Sequence, residues 1–212
     1  QLKHISTLIS KFKQQDFFYV DSEYAKAVAT YIAILIDRII ARNTSFGIWH
    51  ILQETFEHPF GRQAIFMVFD FPEMNPFSDI SSSDYNQCNQ IIKYLESEND
   101  IFPVNCNNTA SGDKSQFKEK EITATITDPP YYDAIAYGDI SDFFYVWLKK
   151  TLGDFFPYNF STPRTPKSDE CTAIKSHHDN DLNKAKEHFE NKLKMILSAV
   201  EYQTNDIISI MF

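Results

Sequence analysis

The order of predicted elements in the second half of the chain is the feature that most constrains its fold. Residues 122–127, ITATIT, alternate β-branched and small residues, which is typical of a sheet strand. Amphipathic helical patterns follow at 139–150 and 181–203, separated by a proline-containing loop at 153–170, and the apolar run DIISIMF occupies 206–212. Strand, helix, helix and strand in this order indicate a crossover between parallel strands. We therefore predict an α/β sheet with two buried strands.

The first half of the chain is predicted to be mainly helical. Residues 23–42 repeat apolar side chains at helical spacing, and 86–97 carry a shorter pattern of the same kind. The run at 62–71, RQAIFMVFDF, fits a strand or a buried helix equally well. We expect 1–100 to form a helical segment that precedes the sheet or is inserted in it, and 101–212 to form the sheet.

Composition and cysteine usage limit the class of protein. The chain has 212 residues, of which 43% are hydrophobic, enough to bury one core of ordinary size. Its longest apolar run, 27–41, contains Asp37 and Arg38 and is shorter than the roughly 20 residues of a membrane span. The three cysteines lie far apart, and no secretory leader is apparent. We expect a soluble cytoplasmic protein without membrane association.

Residues 128–131, Asp-Pro-Pro-Tyr, directly follow the predicted strand at 122–127. Open α/β sheets place ligands at the carboxyl ends of their strands. The Asp128 carboxylate and the Pro129 carbonyl can accept the two N–H groups of a planar amino group, such as that of adenine. The consecutive prolines fix φ and remove two competing backbone donors, and Tyr131 can stack on a base. These residues predict a site for an exocyclic amino group.

D-P-P-Y after a strand resembles the catalytic motif of S-adenosylmethionine-dependent amino-methyltransferases, above all the adenine-specific DNA methyltransferases. The flanking stretches TDPPYYDAIAYGDISDFFYVWLKKTLGDFFP, TPRTPK and RQAIFMVFDFPEMNPFS are similar to long prokaryotic methylase-like proteins of this kind, over about residues 40–212. The resemblance implies a partial Rossmann-like class I methyltransferase sheet with an added helical N-terminal segment. It also implies S-adenosylmethionine as cofactor, DNA as partner, and catalytic roles for Asp128, Pro129, Pro130 and Tyr131.

Further candidate site residues lie near the motif in sequence. Tyr132 and Asp133 belong to the longer form of the motif and, with Tyr137, are candidate substrate contacts. Arg164 and Lys167, on the loop after the motif helix, are candidate phosphate contacts. Asp113 lies where related folds place a residue that touches the cofactor adenine.

Each of these assignments has a structural alternative. Asp-Pro-Pro is a frequent start of a turn. Tyr132 and Tyr137 fit core packing as well as a pocket, and a solvated loop position is the simpler interpretation of Asp113.

Other conspicuous residues are interpreted as structural. Asp139 is a predicted N-cap and Asp142 a first-turn residue of the helix after the motif. The apolar face of that helix is assigned to the core; it comprises Ile140, Phe143, Phe144, Trp147 and Leu148. His177 and His178 are adjacent, and no third ligand has suitable spacing, so we predict a charged loop before a helix and no metal site.

Two features set limits on the methyltransferase interpretation. The chain has five glycines, no two of them close together, whereas the family's cofactor loop contains alternating glycines. Its net charge of −9 is opposite to that of proteins that neutralise many phosphates. We therefore expect a piece of a longer protein, with DNA bound largely by regions outside this chain.

The motif leaves alternatives open. An RNA amino-methyltransferase uses the same residues, and a truncated, non-catalytic module that acts in binding fits the missing glycines. Methylation of protein glutamine is disfavoured, since the corresponding motif has Asn where this chain has Asp128.

Overall fold

The computed structural model describes residues 22–52, 55–57, 75–81, 83–98 and 104–211, together with Thr7, Ser10, Lys11, Phe60 and Val68. These residues form a mixed α/β structure. Its elements in chain order are α1 (Ser22–Arg42), β1 (Ile48–His50), β2 (Thr55–Glu57), α2 (Asp84–Ser97), β3 (Ile122–Thr127), α3 (Tyr137–Leu152), a 3-10 helix (Lys175–His177), α4 (Leu182–Gln203) and β4 (Thr204–Ile210). The predicted element at 62–71 lies outside the described residues, apart from Val68.

The chain divides into two compact units. The first, here called the helical unit, comprises 1–101 and 140–165, and the second, here called the motif unit, comprises 102–139 and 166–212. Residues 140–165 belong to the helical unit, although in the chain they lie between the two parts of the motif unit.

The core of the helical unit is built on one face of α1. Ala25, Ala29 and Ala33 are completely buried, because alanines four residues apart allow a neighbouring element to approach the helix closely. Ile36 and Ile40 continue the face and pack against apolar side chains of α3, including Phe143 and Trp147. A second cluster joins Ala29, Ala33 and Leu152. The predicted helix at 23–42 and the core role of the α3 side chains Phe143, Trp147 and Leu148 are confirmed.

The motif unit contains the two strands that the predicted crossover connects. Strands β3 and β4 pair in parallel, with Ala124 opposite Ile207 and Thr127 opposite Ile210. Helix α4 leads directly into β4, and the Asp181 carboxylate caps its first turn by accepting the backbone N–H groups of Asn183 and Lys184. The strand, helix and strand order inferred from sequence is therefore correct.

The predicted burial of these two strands is wrong. Ile126 is 73% exposed and Ile207 is 60% exposed. Parallel strands are normally buried on both faces by additional layers. Among the described residues, no third strand pairs with β3 or β4. An apolar strand sequence predicts that a covering layer is needed, but it does not identify the segment that supplies the layer.

The predicted N-cap of the motif helix also differs from the observed one. Helix α3 begins at Tyr137, so Asp139 lies in its first turn and not at the cap. The backbone N–H of Gly138 donates to Glu170 Oε1 at 2.9 Å. Glu170, on a distant loop, therefore accepts a backbone N–H in the first turn of α3. The sequence had predicted that a neighbouring side chain would cap this turn.

Candidate functional site

The Asp-Pro-Pro-Tyr segment leaves the carboxyl end of β3, where the sequence predicted a ligand site. Asp128 is exposed at this end, Pro129 is buried and Pro130 is half-buried. The Tyr131 hydroxyl donates to Asp128 Oδ2 at 3.2 Å. This hydrogen bond, together with the carboxylate charge, raises the pKa of Tyr131. Tyr131, which was predicted to stack on a base, is therefore an exposed phenol that is hydrogen-bonded to Asp128.

The backbone after the prolines forms a tight turn. The Tyr132 N–H donates to the Pro130 carbonyl at 3.1 Å, and the Ala134 N–H donates to the Tyr131 carbonyl at 2.9 Å. Tyr132 has a φ of 49°, in the left-handed region that is unfavourable for a bulky side chain. Strained backbone of this kind persists where the surroundings hold it, and it is enriched at functional sites.

Tyr132 is held by two contacts within the motif unit. Its carbonyl accepts the N–H of Ala173 at 2.9 Å. Its ring packs edge-on against Phe189 of α4, with 5.0 Å between ring centroids. These contacts give Tyr132 a packing role that compensates its unfavourable φ. The other predicted substrate contacts near the motif, Asp133 and Tyr137, are exposed.

The loop that precedes α4 also contacts the start of α3. His177 Nε2 lies 2.7 Å from Asp139 Oδ2, and Lys167 Nζ lies 3.7 Å from Asp139 Oδ1. With the hydrogen bond from Gly138 to Glu170, three residues of this loop contact the first turn of α3. Lys167, a predicted phosphate contact, thus has a carboxylate partner. Arg164, the other predicted phosphate contact, is exposed in the helical unit.

A cavity of about 420 Å³ lies beside the motif, a volume within the usual range of small-molecule sites. It is lined by residues 109–113, Pro130, Asp169, Cys171, Lys192, Met195 and Ile196. The cavity therefore brings together Asp113, predicted from the resemblance, and Pro130 of the motif. Residues that lie 17 positions apart in sequence share one site.

Asp113 is positioned for a polar role in this cavity. Its Oδ1 accepts the backbone N–H of Ser115 at 2.8 Å, and the hydrogen bonds from Ser115 lower the pKa of Asp113. The carboxylate is exposed, so it is ionised at neutral pH and open to hydrogen-bond donors. The neighbouring residue Gly112 has no Cβ and can lie close to α4. A Cβ at this position would lie 3.3 Å from Met195 Cβ, which is a tight contact.

The cavity wall combines an apolar surface with a hydrogen-bond acceptor. Apolar side chains of Pro130, Met195 and Ile196 suit a planar ring, and the Asp113 carboxylate suits hydroxyl or amino donors. The thiol of Cys171 is buried, which raises its pKa and favours the unreactive neutral form. The described residues contain no group of three or more His, Cys, Asp or Glu side chains that could hold a metal ion.

Sequence reasoning missed Glu170, Asp169 and Lys192. All three make contacts between residues that are far apart in the chain, and no local motif marks them. The only signal was the position of Lys192 three and four residues before Met195 and Ile196, which places the three on one side of a helix.

Comparison with protein-family models found no match to this chain. A search of curated proteins found no similar sequence. A search of solved structures found no similar fold.

Proposed function

We propose that this chain is part of an S-adenosylmethionine-dependent amino-methyltransferase that acts on the exocyclic amino group of adenine in DNA. The observation that carries the proposal is the cavity shared by Pro130 of the Asp-Pro-Pro-Tyr motif and Asp113. The parallel pairing of β3 with β4 through a helical crossover supports it further, because class I methyltransferases place this motif after a strand of a parallel sheet.

The proposed roles rest on the chemistry of the motif residues. The bound cofactor would supply an electrophilic methyl group. Asp128 would accept one N–H of the amino group and the Pro129 carbonyl the other, orienting the nitrogen lone pair. Tyr131 occupies only Oδ2 of Asp128, so Oδ1 is the acceptor assigned to the substrate. Tyr131 would then stack on the base, which must leave the duplex to reach the site.

The proposed partner is DNA, contacted largely by regions outside this chain. The chain carries 20 Lys and Arg against 29 Asp and Glu. No helix among the described residues has the length and hydrophobicity to cross a membrane. A cytoplasmic location belongs to the proposal as well.

The test is transfer of a tritiated methyl group from S-adenosylmethionine to matched DNA and RNA oligonucleotides that contain adenine. Asp128→Asn should reduce transfer at least about 100-fold, since it replaces the carboxylate acceptor with a group that also donates. The control is Asp179→Asn, an exposed carboxylate ion-paired with Lys184, which should leave transfer unchanged.

The outcomes separate the alternatives. Faster transfer to RNA than to DNA would assign the activity to RNA. Equal transfer by the wild type and Asp128→Asn would remove the motif from catalysis. Binding of S-adenosylmethionine by calorimetry without transfer to either oligonucleotide would favour a non-catalytic module, and the absence of binding would refute the proposal.

A further inference from the structure

An ion pair in the wall of the cavity has no role in the function proposed so far. Lys192 Nζ on α4 lies 2.7 Å from Asp169 Oδ1 on the preceding loop. The side chain of Lys192 is 25% exposed and that of Asp169 is 68% exposed. Both residues line the same cavity as Asp113 and Pro130. A partly exposed ion pair of this kind contributes little to the free energy of folding.

The pair has the chemistry to bind a ligand that carries both charges. A carboxylate and an ammonium group that face a cavity side by side can each attract the opposite charge of a zwitterion. An α-amino acid has its ammonium and carboxylate on one carbon, so both can reach the pair at once. Lys192 offers further N–H donors beyond the one that it gives Asp169, and Asp169 keeps acceptor positions on both oxygens.

We propose that Asp169 and Lys192 bind the amino-acid end of S-adenosylmethionine, with the ligand ammonium on Asp169 and the ligand carboxylate on Lys192. This inference rests on the proposed function. It assigns two binding residues outside the motif, one on the proline-containing loop and one on α4. The same loop also contacts the helix that follows the motif, because the neighbouring residue Glu170 accepts the N–H of Gly138.

The net charge of the cavity adds a preference between donor and product. Asp113 and Asp169 carry two negative charges and Lys192 one positive charge, which gives a net charge of −1. The sulfonium donor has a net charge of +1, whereas the demethylated product is neutral overall. The cavity should therefore bind the donor more tightly than the product, and loss of the charge would help product to leave.

Calorimetry with three ligands tests the assignment on the full chain. The ligands are S-adenosylmethionine, S-adenosylhomocysteine and 5′-methylthioadenosine, which lacks the amino-acid group. Lys192→Met should weaken binding of the first two about tenfold and leave the third unchanged, because a charge-assisted contact of a partly exposed group is lost. The matched control is Lys186→Met on the same helix, whose partner is the exposed Glu190.

Two further variants test whether the Asp169–Lys192 pair binds the ligand or only stabilises the fold. Asp169→Asn should reduce the preference for S-adenosylmethionine over S-adenosylhomocysteine. The swap Asp169→Lys with Lys192→Asp restores an ion pair but reverses it, so binding of the amino-acid ligands should stay weak. Recovered binding by the swap would show that the pair is structural and would overturn the inference.

The remaining outcomes distinguish the inference from the function on which it rests. Wild-type binding with the same ratio of S-adenosylmethionine to 5′-methylthioadenosine affinity in every variant would overturn the inference and leave the proposed function standing. Wild-type binding of none of the three ligands would overturn both. Circular dichroism of each variant checks that the fold is retained.

Discussion

Asp37 shows how a single buried carboxyl group limits stability in the helical unit. It lies on α1, next to the buried Ile36, and its Oδ1 is buried without a hydrogen-bond partner among the described residues. Burial raises its pKa from 3.8 to about 7. A charged carboxylate is disfavoured there, so the folded chain holds a proton that the unfolded chain releases.

We expect Asp37→Asn to stabilise the chain at alkaline pH. Below pH 3.8 the carboxyl is neutral in both states, so stability is unaffected. Between 3.8 and about 7 the unfolded chain ionises first, and stability falls as pH rises through this window. Asn is neutral at every pH, so the gain should reach about 1–2 kcal/mol at pH 8 after allowance for solvent screening.

Urea unfolding at pH 4 and pH 8 measures this difference. Asp79→Asn is the control, because Asp79 is exposed in the same unit. An equal change in the free energy of unfolding at both pH values would contradict the assigned titration of Asp37.

At the scale of elements, the start of α3 depends on a contact between Gly138 and Glu170. A Cβ at Gly138 would lie 2.8 Å from Glu170 Oε2, so an alanine displaces the carboxylate that accepts the Gly138 N–H. We expect Gly138→Ala to destabilise the wild type. In a Glu170→Ala background the same change should stabilise the chain, because alanine favours helix by up to about 1 kcal/mol over glycine.

A double-mutant cycle on thermal or urea unfolding checks this coupling. The expected coupling free energy is about 1 kcal/mol, the usual contribution of a helix cap. Glu190→Ala, an exposed residue of α4, serves as the uncoupled partner. Additive effects of Gly138→Ala and Glu170→Ala would show that Glu170 does not cap the helix.

The elements that the sequence predicted are those determined by neighbours in the chain. The alternation at 122–127 and the apolar face at 23–42 each depend on residues within a few positions, and each was located correctly. Glu170, by contrast, acts 32 positions from its partner Gly138. Its contact depends on the path of a loop, which no periodicity encodes.

The candidate site divides in the same way. The position of the Asp-Pro-Pro-Tyr segment after a strand followed from local pattern, whereas Asp113 was predicted as a site residue only from resemblance. The cavity needs the loop at 109–113, the motif and α4 together, so Asp169 and Lys192 were not foreseen. The prediction that β3 and β4 are buried was wrong for a related reason, because the exposure of a strand depends on which other segments cover the sheet.

At the scale of the whole molecule, charge limits how the chain can engage a nucleic acid. A net charge of −9 opposes binding to a phosphate backbone, and protein–DNA affinity comes largely from cationic contacts. Extruding a paired base costs a few kcal/mol, which such contacts normally offset. An acidic chain makes few cationic contacts with phosphate, so it gains little binding free energy to offset the cost of extrusion. An adenine in a single strand is already unpaired and does not incur this cost.

If the proposed function holds, this chain alone should methylate adenine in single-stranded DNA faster than in the matched duplex. We expect a ratio of at least about tenfold, since a cost of a few kcal/mol exceeds the 1.4 kcal/mol that corresponds to a tenfold change. Tritium incorporation into a single strand, its perfect duplex and a duplex with a mismatched adenine measures the ratio, and the mismatch should fall between the other two. Adding salt should change the three rates little, because few phosphate contacts are available to screen. A duplex rate equal to the single-strand rate, with steep loss in salt, would show that this chain carries its own DNA-binding surface despite its net charge.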